Sequence, residues 1–478
     1  MSASAPTTAM TTRFGRLDRG GLLLGLGLSQ LVVLAFAVTI AVATIYTNGL
    51  TGLLVSAPLW APMTCAATLS VRGRSLLEWI PLIAEWEVRR LVGGTTAITR
   101  LDRRPAPSRL ELPGVAGRLT VLSTPTVGGA LIHDRRAGTI TAVLRVDGSG
   151  FMLDDGATQD HKVAGWGRVL AALCQQPSVI RIQALHRTLP GGGDPVRRWW
   201  TEHALSGSPW PARILADLVA RSEAEADRHE TLLAVALRVP RGSARVVTPA
   251  GLLAVERQLV TLRDAVASAD VRVDDWVDEP ALAWAIRSSY DPEGAARAHG
   301  PVEAKPVVPG PMGISEQWTH VRTDTAWHAV YWVAEWPRSE VHPSFLQPLV
   351  LGPGTRRTFA LIAEPLPPGR ALREIRQAKA EHAADSAQRA RVGQIEDEAT
   401  RAEVSELLRR EQDLVAGHGD LRFTGLLTVT APSSDELDAA CAATESAAAQ
   451  AMCELRRLVG QQALAHLAGA IPLARGVR

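Results

Sequence analysis

The hydrophobic pattern divides this chain into a short apolar N-terminal part and a long mixed part. Residues 21–46, GLLLGLGLSQLVVLAFAVTIAVATIY, and residues 50–69, LTGLLVSAPLWAPMTCAATL, contain no charged side chain. A helix needs about 20 apolar residues to cross the hydrocarbon core of a bilayer, where its backbone groups must pair with one another. The pattern therefore predicts a transmembrane hairpin, with helices at about 21–46 and 50–69 joined by the turn Thr47-Asn48-Gly49.

Basic side chains set the predicted orientation of this hairpin. Those that flank the apolar runs are Arg13, Arg16, Arg19, Arg72 and Arg74. Because cytoplasmic flanks carry the excess of arginine and lysine, both termini and the mixed part should be cytoplasmic, with two spans in the inner membrane. Residues 1–20 are predicted to be a disordered N-terminus. The alternative is a cleaved secretory signal ending near Ala41-Val42-Ala43, but the run is too long and a second run follows.

The segment 70–98 is predicted to hold a juxtamembrane amphipathic helix. In SLLEWIPLIAEWEVRR, four apolar residues recur at helical spacing, namely Trp79, Leu82, Ile83 and Trp86. Tryptophan is enriched where a membrane meets water, so Trp79 and Trp86 are candidate membrane-flanking residues. The alternative is a helix packed on the mixed part.

The mixed part alternates short β-type runs with helical ones, which predicts an α+β body with antiparallel strands and long helices. Strand patterns include TITAVLRV, TLLAVALRV, TFALIAEPL and LRFTGLLTVTA, and helices are predicted at 209–229 and 434–458 among others. A first α+β subdomain is expected at 117–288 and a second at 314–478. Residues 289–313, rich in Pro, Gly and Ala, are predicted to be a loop or linker between them.

A long charged helical region is predicted at 368–416, hinged near Gly393. Its acidic and basic residues alternate at i to i+3 and i+4 spacing, which is typical of an exposed helix face. A solvated helical hairpin on the body is favoured over a coiled-coil-like arm. The residues chosen as a candidate partner surface are Glu396, Arg401, Glu406, Arg409 and Arg410.

No recognisable catalytic motif is present. The three lysines, Lys162, Lys305 and Lys379, do not follow glycine, which excludes a nucleotide-binding loop of the GxxxxGK[ST] type, and GGGDPVRR at 191–198 is interpreted as a loop. HExxH and GxSxG are absent. His328 lies within a strand pattern and is expected to be structural, although a site assembled from His328, Asp324 or Glu335 stays open as an alternative. The prediction is a non-enzyme with no cofactor, metal site or small-molecule substrate.

Composition narrows the possible partners. The formal net charge is +2, which argues against strong nucleic-acid binding over the whole surface, and direct nucleic-acid contact is neither predicted nor excluded. The four cysteines form no CxxC pair, so reduced thiols in a cytosolic body are expected.

Two parts of the chain resemble components of bacterial conjugation machinery. The block RFGRLDRGG, the two apolar runs and RGRSLLEWIPLIAEWEVRR resemble the PrgI-like membrane proteins of Gram-positive and actinobacterial type IV secretion systems. Five later blocks resemble the N-terminal, non-ATPase domain of the VirB-type secretion ATPase: DHKVAGWGRVLAAL, SEQWTHVRTDTAWHAVYWVAEWPR, RRTFALIAEPLPP, RREQDLVAGHGDLRFTGLLTVTA and GAIPLARG. Together the blocks cover nearly the whole chain from residue 13.

The resemblance implies a non-catalytic scaffold that anchors a separate translocation ATPase at the inner membrane. In such ATPases the motor would begin near Pro472-Leu473-Ala474-Arg475-Gly476, where this sequence is about to end, so the motor is expected on another polypeptide. The implied partners are membrane lipid, that ATPase, other channel components and further copies of this chain. A membrane-anchored binding or regulatory module unrelated to secretion is the main alternative.

Overall fold

The computed structural model describes residues 27–71, 74–99, 108–115, 119–124, 126–147, 150–190, 194–204, 210–223, 227–239, 247–298, 308–337, 339–391 and 398–476. The chain forms two compact units, which are described separately. Of the described residues, one unit comprises 27–96 and the other comprises 97–476.

Strands are numbered in chain order. They are β1 (Ser70–Val71), β2 (Arg74–Ser75), β3 (Thr96–Ile98), β4 (Arg109–Leu110), β5 (Leu119–Ser123), β6 (Ala130–Asp134), β7 (Thr139–Asp147), β8 (Val179–Pro190), β9 (Asp227–Arg238), β10 (Arg272–Trp276), β11 (Gly313–Glu316), β12 (Val321–Thr323), β13 (Trp327–Glu335), β14 (Arg356–Leu366), β15 (Asp420–Ala431) and β16 (Glu454–Arg457).

Helices are numbered in the same way. They are α1 (Leu28–Thr68), α2 (Leu76–Leu91), α3 (Gly156–Cys174), α4 (Asp194–His203), α5 (Trp210–Glu223), α6 (Pro249–Ala267), α7 (Glu279–Tyr290), α8 (Pro292–Ala298), α9 (Gln347–Val350), α10 (Pro368–Arg391), α11 (Glu398–Val415), α12 (Ser434–Gln450) and α13 (Gln462–Ala470).

The body has the predicted α+β fold, and fourteen of the described strands form one antiparallel sheet. The strand order is β3-β11-β12-β13-β15-β14-β8-β9-β7-β6-β5-β4, with β10 added beside β7 and β16 beside β13. The sheet therefore continues through both predicted subdomains. Within the range 289–313, Pro292–Ala298 forms α8 rather than loop.

The two halves of the sheet repeat one topology. β7, β8, β9 and β10 follow the spatial order 10-7-9-8, and β13, β14, β15 and β16 follow the order 16-13-15-14. Each half is a split β-α-β unit, in which helices connect the first strand to the second and the third to the fourth. Because β8 and β14 pair antiparallel, an approximate two-fold axis passes between them.

Side chains on both faces of the sheet are buried, which explains why its strands read as continuous apolar runs. Along β9, Leu232 and Ala234 face α7, while Leu233 and Val235 face α3 and α6. In the second half, α9 and α12 cover the face that α3 and α6 cover in the first half. One apolar layer, containing α7 and α13, runs across both halves.

The segment that follows α13 is held against the first half. Gln183 of β8 donates to the carbonyls of Ala468 (2.9 Å) and Ile471 (3.1 Å) and accepts from the amide of Ala474 (2.8 Å). Arg475 pairs with Asp134 of β6. Residues of the second half thus complete the core of the first half.

Three local predictions are corrected by the structure. The helix predicted at 209–229 ends at Glu223, and β9 already begins at Asp227. The helix predicted at 434–458 ends at Gln450, because residues 454–457 pair with β13 as β16. Asp194 to Arg198, interpreted as loop, begin helix α4.

Candidate membrane segment and partner surface

Helix α1 is long and apolar enough to cross a membrane, and it is the one such helix among the described residues. Its apolar side chains are exposed along its length, for example Val32, Phe36, Leu54 and Leu59. A helix of a soluble core would bury such residues, so their exposure indicates membrane attachment. A signal sequence would have the same length and composition, and it is the other interpretation that these properties allow.

The backbone of α1 is interrupted at Gly49. Its φ of +63° and ψ of −152° are not helical, and a positive φ is a conformation that glycine adopts readily. Two contacts join residues before Gly49 to residues after it. Gln30 donates from Nε2 to the carbonyl of Ala67 at 3.0 Å, and the hydroxyls of Thr44 and Ser56 lie 3.0 Å apart. Residues far apart along the segment are therefore in contact.

Helix α2 belongs to the same compact unit and contacts α1. Of the predicted apolar face, Leu82 and Trp86 are buried, Trp79 is half-buried, and Ile83 is exposed. The Arg89 guanidinium lies 5.5 Å from the centre of the Trp86 ring, a cation–π contact. The predicted amphipathic helix is therefore present, and it buries part of its apolar face within the compact unit that also contains α1.

Most of the basic residues used to predict the orientation of the hairpin are outside the described residues. Arg13, Arg16, Arg19 and Arg72 are outside the described residues, as are residues 1–20 and the first part of the run 21–46. Arg74 lies in β2, which pairs with β1.

The charged region forms two helices, α10 and α11, which are called the helical arm below. The arm joins the neighbouring strands β14 and β15. Lys379 of α10 pairs with Glu411 of α11, and Glu374 accepts from Arg422 of β15 at 2.8 Å. These ion pairs hold the arm together and fix its base to the sheet.

The candidate partner residues on the arm have several different environments. Glu406 and Arg409 pair with each other at 2.8 Å, and Arg410 pairs with Asp420 of β15 at 2.6 Å. Arg401 is exposed, while Glu396 lies outside the described residues. Glu406, Arg409 and Arg410 are thus engaged in ion pairs within the protein, so the charged surface that the arm offers to a partner is smaller than the sequence indicated.

An apolar stripe on α11 was missed by the sequence analysis. Val404, Leu408 and Val415 are exposed by 37%, 46% and 77%. At 100° per residue they fall within about 40° of one another around the helix, so they form one stripe. The i, i+4, i+11 spacing was visible in the sequence but was hidden by the surrounding charges. The stripe gives the arm an apolar contact surface.

The histidine considered for catalysis is a buried structural residue. His328 contacts the hydroxyls of Thr323 and Thr430, each at 2.9 Å, and its ring centre lies 4.4 Å from that of His466. Burial lowers the pKa of His328 to about 4, despite the opposing effects of the Tyr290 carbonyl and the Asp291 carboxylate. His328 is therefore neutral at physiological pH.

Asp324 has other partners. It pairs with Arg287 at 2.7 Å and accepts from the backbone amides of Met312 and Gly313. Within the described ranges, no group of three or more His, Cys, Asp or Glu residues could hold a metal ion. The hydrogen bonds of Asp324 and His328 thus serve the packing of loops and strands.

A buried ion pair lies between the cross-strand partners Arg187 of β8 and Glu230 of β9. Arg187 also donates to the carbonyl of Ala285 at 2.7 Å, and Arg145 donates to Glu230 at 3.1 Å. Burial alone would raise the pKa of Glu230, but the guanidinium groups of Arg187, Arg145 and Arg228 together outweigh it and hold that pKa below its ordinary value. The pair is charged in the folded protein.

Comparison with other proteins adds no assignment. No family model matches the chain, and no curated protein is significantly similar to it.

Proposed function

We propose that this chain is a non-catalytic scaffold of a type IV-like secretion apparatus, which holds a separate translocation ATPase at the inner membrane. The observation that carries the proposal is the combination of an apolar helix, in a compact unit separate from the body, with a large body whose helical arm exposes an apolar stripe. Such a stripe, bordered by charges, is the composition of a protein–protein contact.

The membrane segment is proposed to be a two-helix hairpin that turns at Gly49. A continuous helix would separate Gln30 from Ala67 by about 55 Å, at 1.5 Å per residue, which their hydrogen bond does not permit. Each half of the segment is close to the length of one span. With the basic flanks at one side, both termini and the body would be cytoplasmic.

The blocks that resemble the secretion ATPase domain contribute neighbouring parts of the body. They supply α3, β13, β14 and β15, and the segment 469–476 that binds β8. These blocks thus form part of the core of the body, and the resemblance itself stays a proposal. The proposed assembly contains several copies of this chain, the ATPase and other channel components.

The arm is the proposed docking surface for the ATPase. The test is an affinity pull-down of the full chain, tagged at its C-terminus, from gently solubilised membranes, with the partners identified by mass spectrometry. We expect a nucleotide-binding ATPase with the wild-type chain and at least a tenfold lower recovery with Leu408→Asp, because a carboxylate would be desolvated in the contact.

The matched control is Ala402→Asp, which adds the same charge to an exposed position on another face of α11. Its recovery of the ATPase should equal that of the wild type. Equal recovery with Leu408→Asp would exclude the stripe as the docking surface. The absence of any ATPase from the wild-type preparation would instead favour a membrane-anchored binding module unrelated to secretion.

A further inference from the structure

A second helical hairpin lies between β8 and β9. Helices α4 and α5 join β8 to β9, and are called the tip hairpin below. β8 pairs with β14 only as far as Arg187, and β9 pairs with β7 only from Thr231. Beyond these residues β8 and β9 continue together to the pair Pro190 and Asp227. The tip hairpin is thus carried on a two-stranded ribbon.

Helix α5 exposes a wide apolar arc. Trp210, Ile214, Leu215 and Leu218 are all exposed, Trp210 by 66% and Leu218 by 55%. At 100° per residue these positions span about 140° of the helix. An amphipathic helix of a globular protein normally turns such an arc towards a core. Here the buried residue is Val219, at the border of the arc.

The large aromatic side chains are concentrated at the outer end of the tip hairpin. Trp199, exposed by 57%, and Trp200 lie in the second half of α4, and Trp210 is the first residue of α5. The ion pair between Asp217 and Arg221 lies in the later turns of α5, which lead back to β9. The outer end of the hairpin therefore carries its large aromatic side chains.

We propose that the tip hairpin inserts into the interface of the bilayer that holds α1. This inference rests on the membrane attachment in the proposed function, and it adds a second point of contact made by the body itself. Tryptophan, leucine and isoleucine are the side chains that amphipathic helices bury at the headgroup boundary. α5 has 14 residues, about 21 Å of helix, so it is too short to span and would lie at the surface.

The net charge of the tip hairpin argues against electrostatic binding to anionic lipid. Residues 194–223 contain four arginines and four acidic residues, so the segment is neutral. Apolar burial is then the driving force, and the contact should depend little on salt or on anionic lipid. Because α1 tethers the body to the membrane, a weak insertion is sufficient, since it occurs at high effective concentration.

The test uses the full chain in phosphatidylcholine nanodiscs. An environment-sensitive fluorophore is attached to Leu218→Cys in a Cys65→Ser background, because Cys65 is the exposed native cysteine while Cys174, Cys441 and Cys453 are buried. We expect a blue-shifted emission and quenching by lipid spin-labelled near the headgroup. Quenching at Leu218→Cys should be at least twice that at the control Ala220→Cys, which is exposed on the opposite face of α5.

Other outcomes would contradict the proposal in different ways. A blue shift without lipid quenching, accompanied by energy transfer between labelled copies, would overturn the proposal in favour of a contact with a second copy. Water-like emission at Leu218→Cys would overturn it outright. A label on native Cys65 reports on α1 itself. Quenching at Cys65 without quenching at Leu218→Cys would contradict only the tip-hairpin contact. The absence of quenching at Cys65 would contradict the membrane attachment as well.

Discussion

The helical arm and the tip hairpin occupy corresponding places in the two halves of the sheet. Each joins the second and third strands of a split β-α-β unit, and the two-fold relation sends them to opposite ends of the strands. Their surfaces differ, since the arm is held by ion pairs and carries a narrow apolar stripe, while the tip hairpin exposes a wide aromatic and aliphatic arc. Repetition of the fold therefore provides two platforms, and the difference between their surfaces is the reason for proposing two different partners.

The interiors of the two halves differ as well. The first half buries the ion pair Arg187–Glu230 where the ribbon leaves the sheet, and the second half buries the neutral histidines His328 and His466. A buried charge and a buried neutral base respond differently to mutation and to pH. This contrast can be tested in one half at a time.

The largest expected effect follows removal of one charge from the first half. Glu230→Gln leaves the buried Arg187 without its counter-ion, and we expect β8 and β9 to lose about 3 kcal/mol of opening free energy. Amide hydrogen exchange of the full chain in nanodiscs measures this strand by strand. Replacing both charges, Arg187→Met with Glu230→Gln, should recover most of the loss, and a double variant as unstable as the single one would contradict the explanation.

An intermediate effect is expected from acid in the second half. Burial lowers the pKa of His328 to about 4, and burial and His328 lower that of His466. The unfolded chain binds these protons near pH 6.5 but the folded chain does not, so stability falls as pH decreases from 6.5 towards 4. Between pH 6.5 and pH 5, His328 alone should lower the stability by about 2 kcal/mol.

Hydrogen exchange at pH 7 and pH 5, corrected for the intrinsic exchange rate, can separate the halves. Protection in β13 and α13 should fall. The first half has its own titrating histidine, because burial and His229 lower the pKa of His186 in β8 to about 4. β8 and β9 should therefore keep their protection in the variant His186→Asn, in which Glu230 remains ionised. The variant His328→Asn should show a shallower pH dependence than the wild type. An equal loss of protection in both halves of the His186→Asn variant would show that these histidines do not govern the response.

The smallest effect concerns the tie at the base of the arm. Arg410→Ala removes a partly exposed ion pair with Asp420, so we expect a loss of about 0.5–1 kcal/mol, confined to α11. Exchange in α5 of the tip hairpin is the internal control and should not change. A change in both hairpins would mean that the two platforms are mechanically coupled.

Strands buried on both faces were predictable from the sequence because their apolar runs are long and bounded by turn residues. TLLAVALR, residues 231–238, lies within β9, and LRFTGLLTVTA lies within β15. The short strand β16 was not predictable, since ELRR has no strand pattern of its own and is held by pairing with β13. The repeated topology was also hidden, because strand order is set by contacts between distant residues.

The candidate surfaces were predicted unevenly. The arm was located because charge alternation at helical spacing is a local signal, but Arg409 and Arg410 have internal partners that depend on the tertiary fold. The tip hairpin was predicted only as a helix near 209–229, and an apolar arc reads as a core-facing side until the structure shows its exposure. The sequence thus predicted that this segment is helical, but it did not predict that the apolar side of the helix is exposed.

The segment after α13 has a consequence for synthesis of the protein. Asp134 is translated before its ion-pair partner Arg475, which lies 341 residues later, and Thr141 is translated before its hydrogen-bond partner Leu473. At about 5–20 residues per second, roughly 20 to 70 s pass between translation of the two members of the Asp134–Arg475 pair. During this interval α1 is already available for insertion, while one apolar face of the first half stays open. The nascent body would therefore reach the membrane unfinished, and a chaperone that shields β6 to β9 would be needed most during that delay.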